Sequence, residues 1–124
     1  MDKKKVLIAD DEAYIRLLVR SILGRYYTIL EAGDGEEAMD MARAHRPDLI
    51  LMDIMMPKLD GVGTCYVLKS YSETKWIPIV MLTAMADKLD QEYSRDMGAD
   101  GYITKPLSSK TLLDTVEHFL TNAR

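Results

Sequence analysis

Five short apolar runs of strand length, at residues 6–9, 29–32, 49–52, 79–82 and 102–104, alternate along the chain with longer segments of helical spacing. Ile15, Leu18, Val19 and Ile22 recur at intervals of three and four, as one face of a helix does. Ala38, Met41 and Ala42 form a weaker stripe, Val62 and Tyr66 with Leu68 and Lys69 another, and Leu112, Val116, Phe119 and Leu120 the last. Gly24 closes the first helical segment, and Arg46, Pro47 and Asp48 separate the second from the third strand. Asp87 and Asp90 mark a helix start, and Gly98 is placed to cap that segment. Runs such as LILM and IVML are apolar throughout, which suits strands of a parallel sheet covered on both faces. The pattern predicts an α/β fold, a (βα)5 doubly wound five-stranded parallel sheet with helices on both faces, with residues 1–124 forming a single domain.

Composition removes other classes. A chain of 124 residues supports one core. With 48% hydrophobic and 29% charged residues it is neither disordered nor of low complexity. The longest apolar stretches are broken by Asp53, Pro78 and Thr83, so no membrane span is expected. Residues 2–5 are all charged, so no signal peptide is expected there. The lone Cys65 has no internal disulfide partner, which suits a reducing cytoplasm. A formal net charge of −4 argues against direct nucleic-acid binding.

Polar residues follow immediately on the apolar strands. Asp10, Asp11 and Glu12 follow VLIA, Asp53 follows LILM, Thr83 follows IVML, and Lys105 and Pro106 follow YIT. In an open parallel sheet all these positions share the carboxyl edge, where ligands bind. Any one Asp there is an ordinary turn or cap residue, and Asp10 or Asp11 alone would serve to cap the first helix. Together the three carboxylates repel one another and must gain a cation or lose charge. Oxygen donors with no His or Cys beside them suit a hard ion, which points to Mg²⁺. A carboxylate next to such an ion can attack phosphorus and form an acyl phosphate, with a lysine neutralising the transferred group.

The motifs IADDE, LILMDIMMPKLDG, MLTA and YITKP, in this order and spacing, resemble the CheY-like receiver domain of two-component response regulators. The resemblance runs from about Lys4 to Leu120 and implies a flavodoxin-like strand order 2-1-3-4-5. It implies that Asp53 is the phosphoacceptor, taking its phosphoryl group from a histidine kinase or His-phosphotransfer protein. Asp11, Asp53 and the Met55 backbone carbonyl would be direct ligands of Mg²⁺, with Asp10 acting through water. Thr83 matches the switch hydroxyl, Lys105 the phosphate-pairing lysine, and Tyr102 the aromatic that changes rotamer. The bond joining Lys105 to Pro106 is cis in the family. Gly101 replaces a residue that is often polar, which predicts a looser fifth strand. The face signalled through would be the helix of residues 87–97, the fifth strand and the last helix, read by an output domain or a second receiver. Such a domain is not an enzyme beyond its own phosphorylation and dephosphorylation.

Other features are weaker. Tyr14 and Leu17 fall off the core stripe of the first helix, and the resemblance makes them a docking patch for the phosphodonor. The many methionines are core filler before they are a copper site. Met55 and Met85 each lie two residues after a site residue, where the family tunes hydrolysis. His45, His118 and Trp76 carry no chemistry. A haloacid-dehalogenase-type phosphatase would need a second acid at the place of Met55. A nucleotide-binding domain would need a glycine-rich phosphate loop, which is missing. A pseudo-receiver is disfavoured by the complete set of Asp10, Asp11, Asp53, Thr83 and Lys105.

Overall fold

The computed structural model describes residues 3–84, 92 and 95–122. Five parallel strands, β1 (Lys5–Ala9), β2 (Thr28–Ala32), β3 (Leu49–Asp53), β4 (Ile79–Thr83) and β5 (Gly101–Thr104), form one sheet in the order β2-β1-β3-β4-β5. Four helices among the described residues cover it: α1 (Ala13–Leu23), α2 (Gly35–His45), α3 (Gly61–Ser70) and α4 (Ser109–Asn122). This is the doubly wound architecture that the alternating pattern predicts. The strand order implied by the resemblance also holds. The helix start at Asp87 and Asp90, Met85, and most of residues 87–97 lie outside the described residues. Among the described residues no helix is long and apolar enough to cross a membrane.

Continuous apolar runs are explained by two separate cores. Side chains alternate across a strand, so Leu7, Ile50, Met52, Ile79 and Met81 face the layer of α2 and α3. Val6, Ile8, Leu49, Leu51, Val80 and Leu82 face α1 and α4, where Val19, Leu23, Leu112 and Val116 meet them. Both strand faces are therefore buried. The strands run one residue further than the apolar runs, so Asp53 and Thr83 are the last residues of β3 and β4 and not loop residues.

Helix ends follow local chemistry. Asp34 caps α2 by accepting from the Glu37 amide at 2.8 Å, and Asp60 caps α3 by accepting from the Gly63 amide at 2.7 Å. The cap of α1 is Glu12, which makes no side-chain cap bond, so neither Asp10 nor Asp11 has that role. Gly24 does end α1, but in a right-handed conformation. Gly98, at φ 109°, takes the left-handed turn that glycine accepts cheaply.

Two expectations change. Tyr66 does not belong to the core stripe of α3, being 57% exposed; Cys65 and Leu68 supply the buried contacts. The stripe runs 62, 65, 68, three residues apart, and the polar Thr64 buried beside it obscured the pattern. Gly101 does not leave slack in β5: a Cβ there would lie 3.0 Å from Cζ of Phe119, so that ring fills the space.

Gly61 joins the fold to the site. Its amide donates to the Ile54 carbonyl at 2.9 Å, and an added Cβ would run into the carbonyl oxygen of Asp53. Gly61→Ala should therefore lower stability by about 1–3 kcal/mol in urea unfolding, the usual cost of overpacking. Gly33→Ala, whose Cβ would meet only Arg16 Nη1 at 3.6 Å, should change it by less than about 0.5 kcal/mol.

Candidate functional site

The carboxyl edge of the sheet holds a buried cluster of charge. Asp10 follows β1, donates its amide to the Ala32 carbonyl at 3.0 Å, and is fully buried. Its Oδ1 accepts from the Glu12 amide at 2.9 Å, and its Oδ2 accepts from Lys105 Nζ at 3.0 Å. Lys105 leaves the end of β5, donating its amide to the Thr83 carbonyl at 2.7 Å, and is joined to Pro106 by a cis bond as the resemblance implies. The same ammonium lies 3.4 Å from Asp53 Oδ1 and 3.8 Å from Glu12 Oε1. Asp53 is only 5% exposed, whereas Asp11 faces solvent.

Electrostatics follow from this crowding. Burial, and then the negative charge of Asp10, push the Asp53 carboxyl from 3.8 up to about 6, against the pull of Lys105 and the Met55 amide. Burial works to lower the Lys105 value, but its hydrogen bond to Asp10 and the charges of Asp53 and Asp10 raise it overall. Lys105 is thus a fixed cation between two buried acids.

Asp10, Asp11 and Asp53 each offer a carboxylate oxygen, and these lie within 4.8 Å of one another. An all-oxygen donor set carrying surplus negative charge fits a hard divalent ion. Asp10 already has a partner on each oxygen, while the Asp53 carboxylate takes a hydrogen bond from the Met55 amide.

Thr83 ends β4, is buried, and stands opposite Thr104 in the register with β5. Tyr102 stands opposite Met81, half-buried, with the Arg95 guanidinium 5.9 Å from its ring centre. Tyr14 and Leu17 project from α1, 69% and 64% exposed, and take no part in the cluster. His45 ends α2, and His118 packs edge-on against Phe119 in α4; both lie outside the cluster. Sequence reasoning passed over Gly61, whose lack of a side chain lets α3 start against the Asp53 carbonyl. The Asp-Gly pair ending LILMDIMMPKLDG was the available signal. It also passed over Lys58, which at φ 69° pairs with Asp34 at 3.5 Å and ties the loop after β3 to the start of α2.

Comparison with known proteins agrees with this geometry. The family model described as the response regulator receiver domain matches residues 6–117. A probable transcriptional regulator, ycf27, of Porphyridium aerugineum is 45% identical over 115 residues, covering 90% of this chain and 46% of that protein. The chain spans about half the length of that relative. The chemotaxis protein CheY4 of Vibrio cholerae superposes with a TM-score of 0.90 at 34% identity, covering 95% of this chain and 99% of that one. The receiver domain of the sensor histidine kinase PA1611 of Pseudomonas aeruginosa superposes at 0.89 with 26% identity, over 96% of this chain and 98% of its own. That structure contains a magnesium ion coordinated in the active-site cleft.

The raised value of Asp53 sets a pH dependence. Its folded value, about 6, exceeds the ordinary 3.8, so protonation favours the folded state. That contribution is complete below about pH 4 and is lost as pH rises through about 6. Without divalent ions, Asp53→Asn should be more stable than the wild type at pH 7. The gap should narrow by about 1 kcal/mol at pH 5, as read by urea unfolding.

Proposed function

The chain belongs to the response regulator receiver family, and from that premise we propose that Asp53 accepts a phosphoryl group from the phosphohistidine of a histidine kinase or His-phosphotransfer protein. One observation carries the reading: the buried Asp53 carboxylate ends β3 within 3.4 Å of the Lys105 ammonium and beside two further acids. An Asp53 oxygen bonds phosphorus as the donor's P–N bond breaks, and the imidazole leaves with the electron pair and a proton from water. Water later attacks the acyl phosphate and restores the carboxylate. The domain thus performs only its own phosphorylation and dephosphorylation, in the cytoplasm, and serves signalling.

Asp11, Asp53 and the Met55 carbonyl would hold Mg²⁺ directly, with Asp10 acting through water. Mg²⁺ supplies positive charge that lets an anionic phosphoryl group approach anionic Asp53. The engaged oxygens of Asp10 support its indirect part. Lys105 pairs with the transferred group once it leaves Asp53 Oδ1 free to react, and the Thr83 hydroxyl donates to a second phosphoryl oxygen. Exposed Tyr14 and Leu17 on α1 form the face that the phosphodonor docks on.

Phosphorylation adds charge and acceptor oxygens at the end of β3. Thr83 moves toward them, and Tyr102, next to β4, turns into the space behind. Arg95 over the Tyr102 ring links that rotation to the segment preceding β5. The readout face combines that segment with β5 and α4, where an output domain or second receiver docks. The phosphoryl group biases this equilibrium only by its unequal interaction with the two packings.

Incubation with Mg²⁺ and acetyl phosphate should add one phosphoryl group by intact mass, and none to Asp53→Asn. Equal labelling of that variant would rule out Asp53 as acceptor. Thr83→Ala should still be labelled, but amide NMR with a beryllofluoride mimic should lose the shifts at residues 95–104 seen in the wild type.

A further inference from the structure

Arg16, in the first half of α1, grips the backbone beneath the acidic cluster. Its Nη1 donates to the Asp10 carbonyl at 2.7 Å, and its Nε donates to Glu31 Oε1 at 3.1 Å. Glu31 Oε2 accepts from Arg20 Nε at 2.8 Å, and Arg20 Nη2 donates to the Ile29 carbonyl at 3.2 Å. The Arg16 guanidinium is therefore held by β2 on one side and holds the peptide joining Asp10 to Asp11 on the other. The amide of Asp10 is fixed independently by the Ala32 carbonyl. Among the described residues no side chain hydrogen-bonds or ion-pairs with the Asp11 carboxylate, which leaves the peptide it hangs from, held by Arg16, as its nearest fixed support.

We propose that Arg16 is a positioning residue for divalent-cation binding, acting by fixing the Asp10 carbonyl and so the direction of the Asp11 carboxylate. This rests on the reading of Asp11 as a metal ligand. Charge alone predicts the opposite sign. Arg16 is a cation near a cation site, so by Coulomb's law its removal should tighten Mg²⁺ binding. Loss of an orienting partner behind a ligand typically weakens metal affinity by about tenfold or more.

The test is titration of the metal-free protein with MgCl₂ by calorimetry, alongside thermal unfolding without metal. Arg16→Ala and Arg16→Lys should both bind Mg²⁺ about tenfold more weakly, because one ammonium cannot span the Asp10 carbonyl and Glu31 together. Glu31→Gln, which leaves Arg16 in place but loosens it, should weaken binding in the same direction by less, and it serves if Arg16→Ala does not fold. Unchanged or tighter binding in folded Arg16 variants or in Glu31→Gln overturns the proposal. Wild-type affinity in Asp11→Ala instead overturns the ligand reading beneath it.

Discussion

A single ammonium makes the carboxyl edge of this sheet possible. Asp10 and Asp53 are both buried, and two carboxylates withdrawn from water cannot share a site without compensation. Lys105 provides it from 95 residues away in sequence, reaching Asp10 at 3.0 Å and Asp53 at 3.4 Å. The contact also joins the last strand to the first across β3 and β4. Compensation is partial, since the Asp53 carboxyl remains raised to about 6. The site therefore keeps an appetite for positive charge.

Rigidity of the frame gives that appetite a direction. The strands carrying Asp10, Asp53 and Thr83 are buried on both faces, so the ends of β1, β3 and β4 have fixed separations. Loops beyond them are held by close contacts. Gly61 abuts the Asp53 carbonyl, and Gly35 comes against the Leu59 carbonyl and the Thr64 hydroxyl. A side chain at either position would push the loop after β3 outward. The small residues are what allow the loop to stay near the acids.

Much of this was legible in the residues. Continuous apolar runs announced strands covered on both faces, and the residues after them announced the shared edge. The strand order was not read from periodicity, which reports each element by itself; it came from the combination of motifs. Tyr66 was misplaced because Thr64, buried through hydrogen bonds to the Leu59 and Asp60 carbonyls, breaks the apolar stripe of α3. Arg16 and Glu31 were invisible for a different reason. Their importance lies in bonding across two elements to a main-chain carbonyl, and a carbonyl has no letter in the sequence.

The position of each strand in the sheet has a kinetic consequence. Strands β1, β3 and β4 have neighbours on both sides, whereas β5 is a four-residue edge strand, half of it partly exposed. Core strands open at free energies that reach the global value, whereas elements with fewer buried contacts and more exposed backbone open at lower cost. Asp10 and Asp11 follow β1 and Asp53 ends β3, whereas Tyr102 lies in the edge strand and Lys105 directly follows it. Release of β5 would withdraw the compensating cation while β1 and β3 kept the carboxylates in place. An opening confined to that edge would leave the acids without their compensating charge while the rest of the sheet stayed intact.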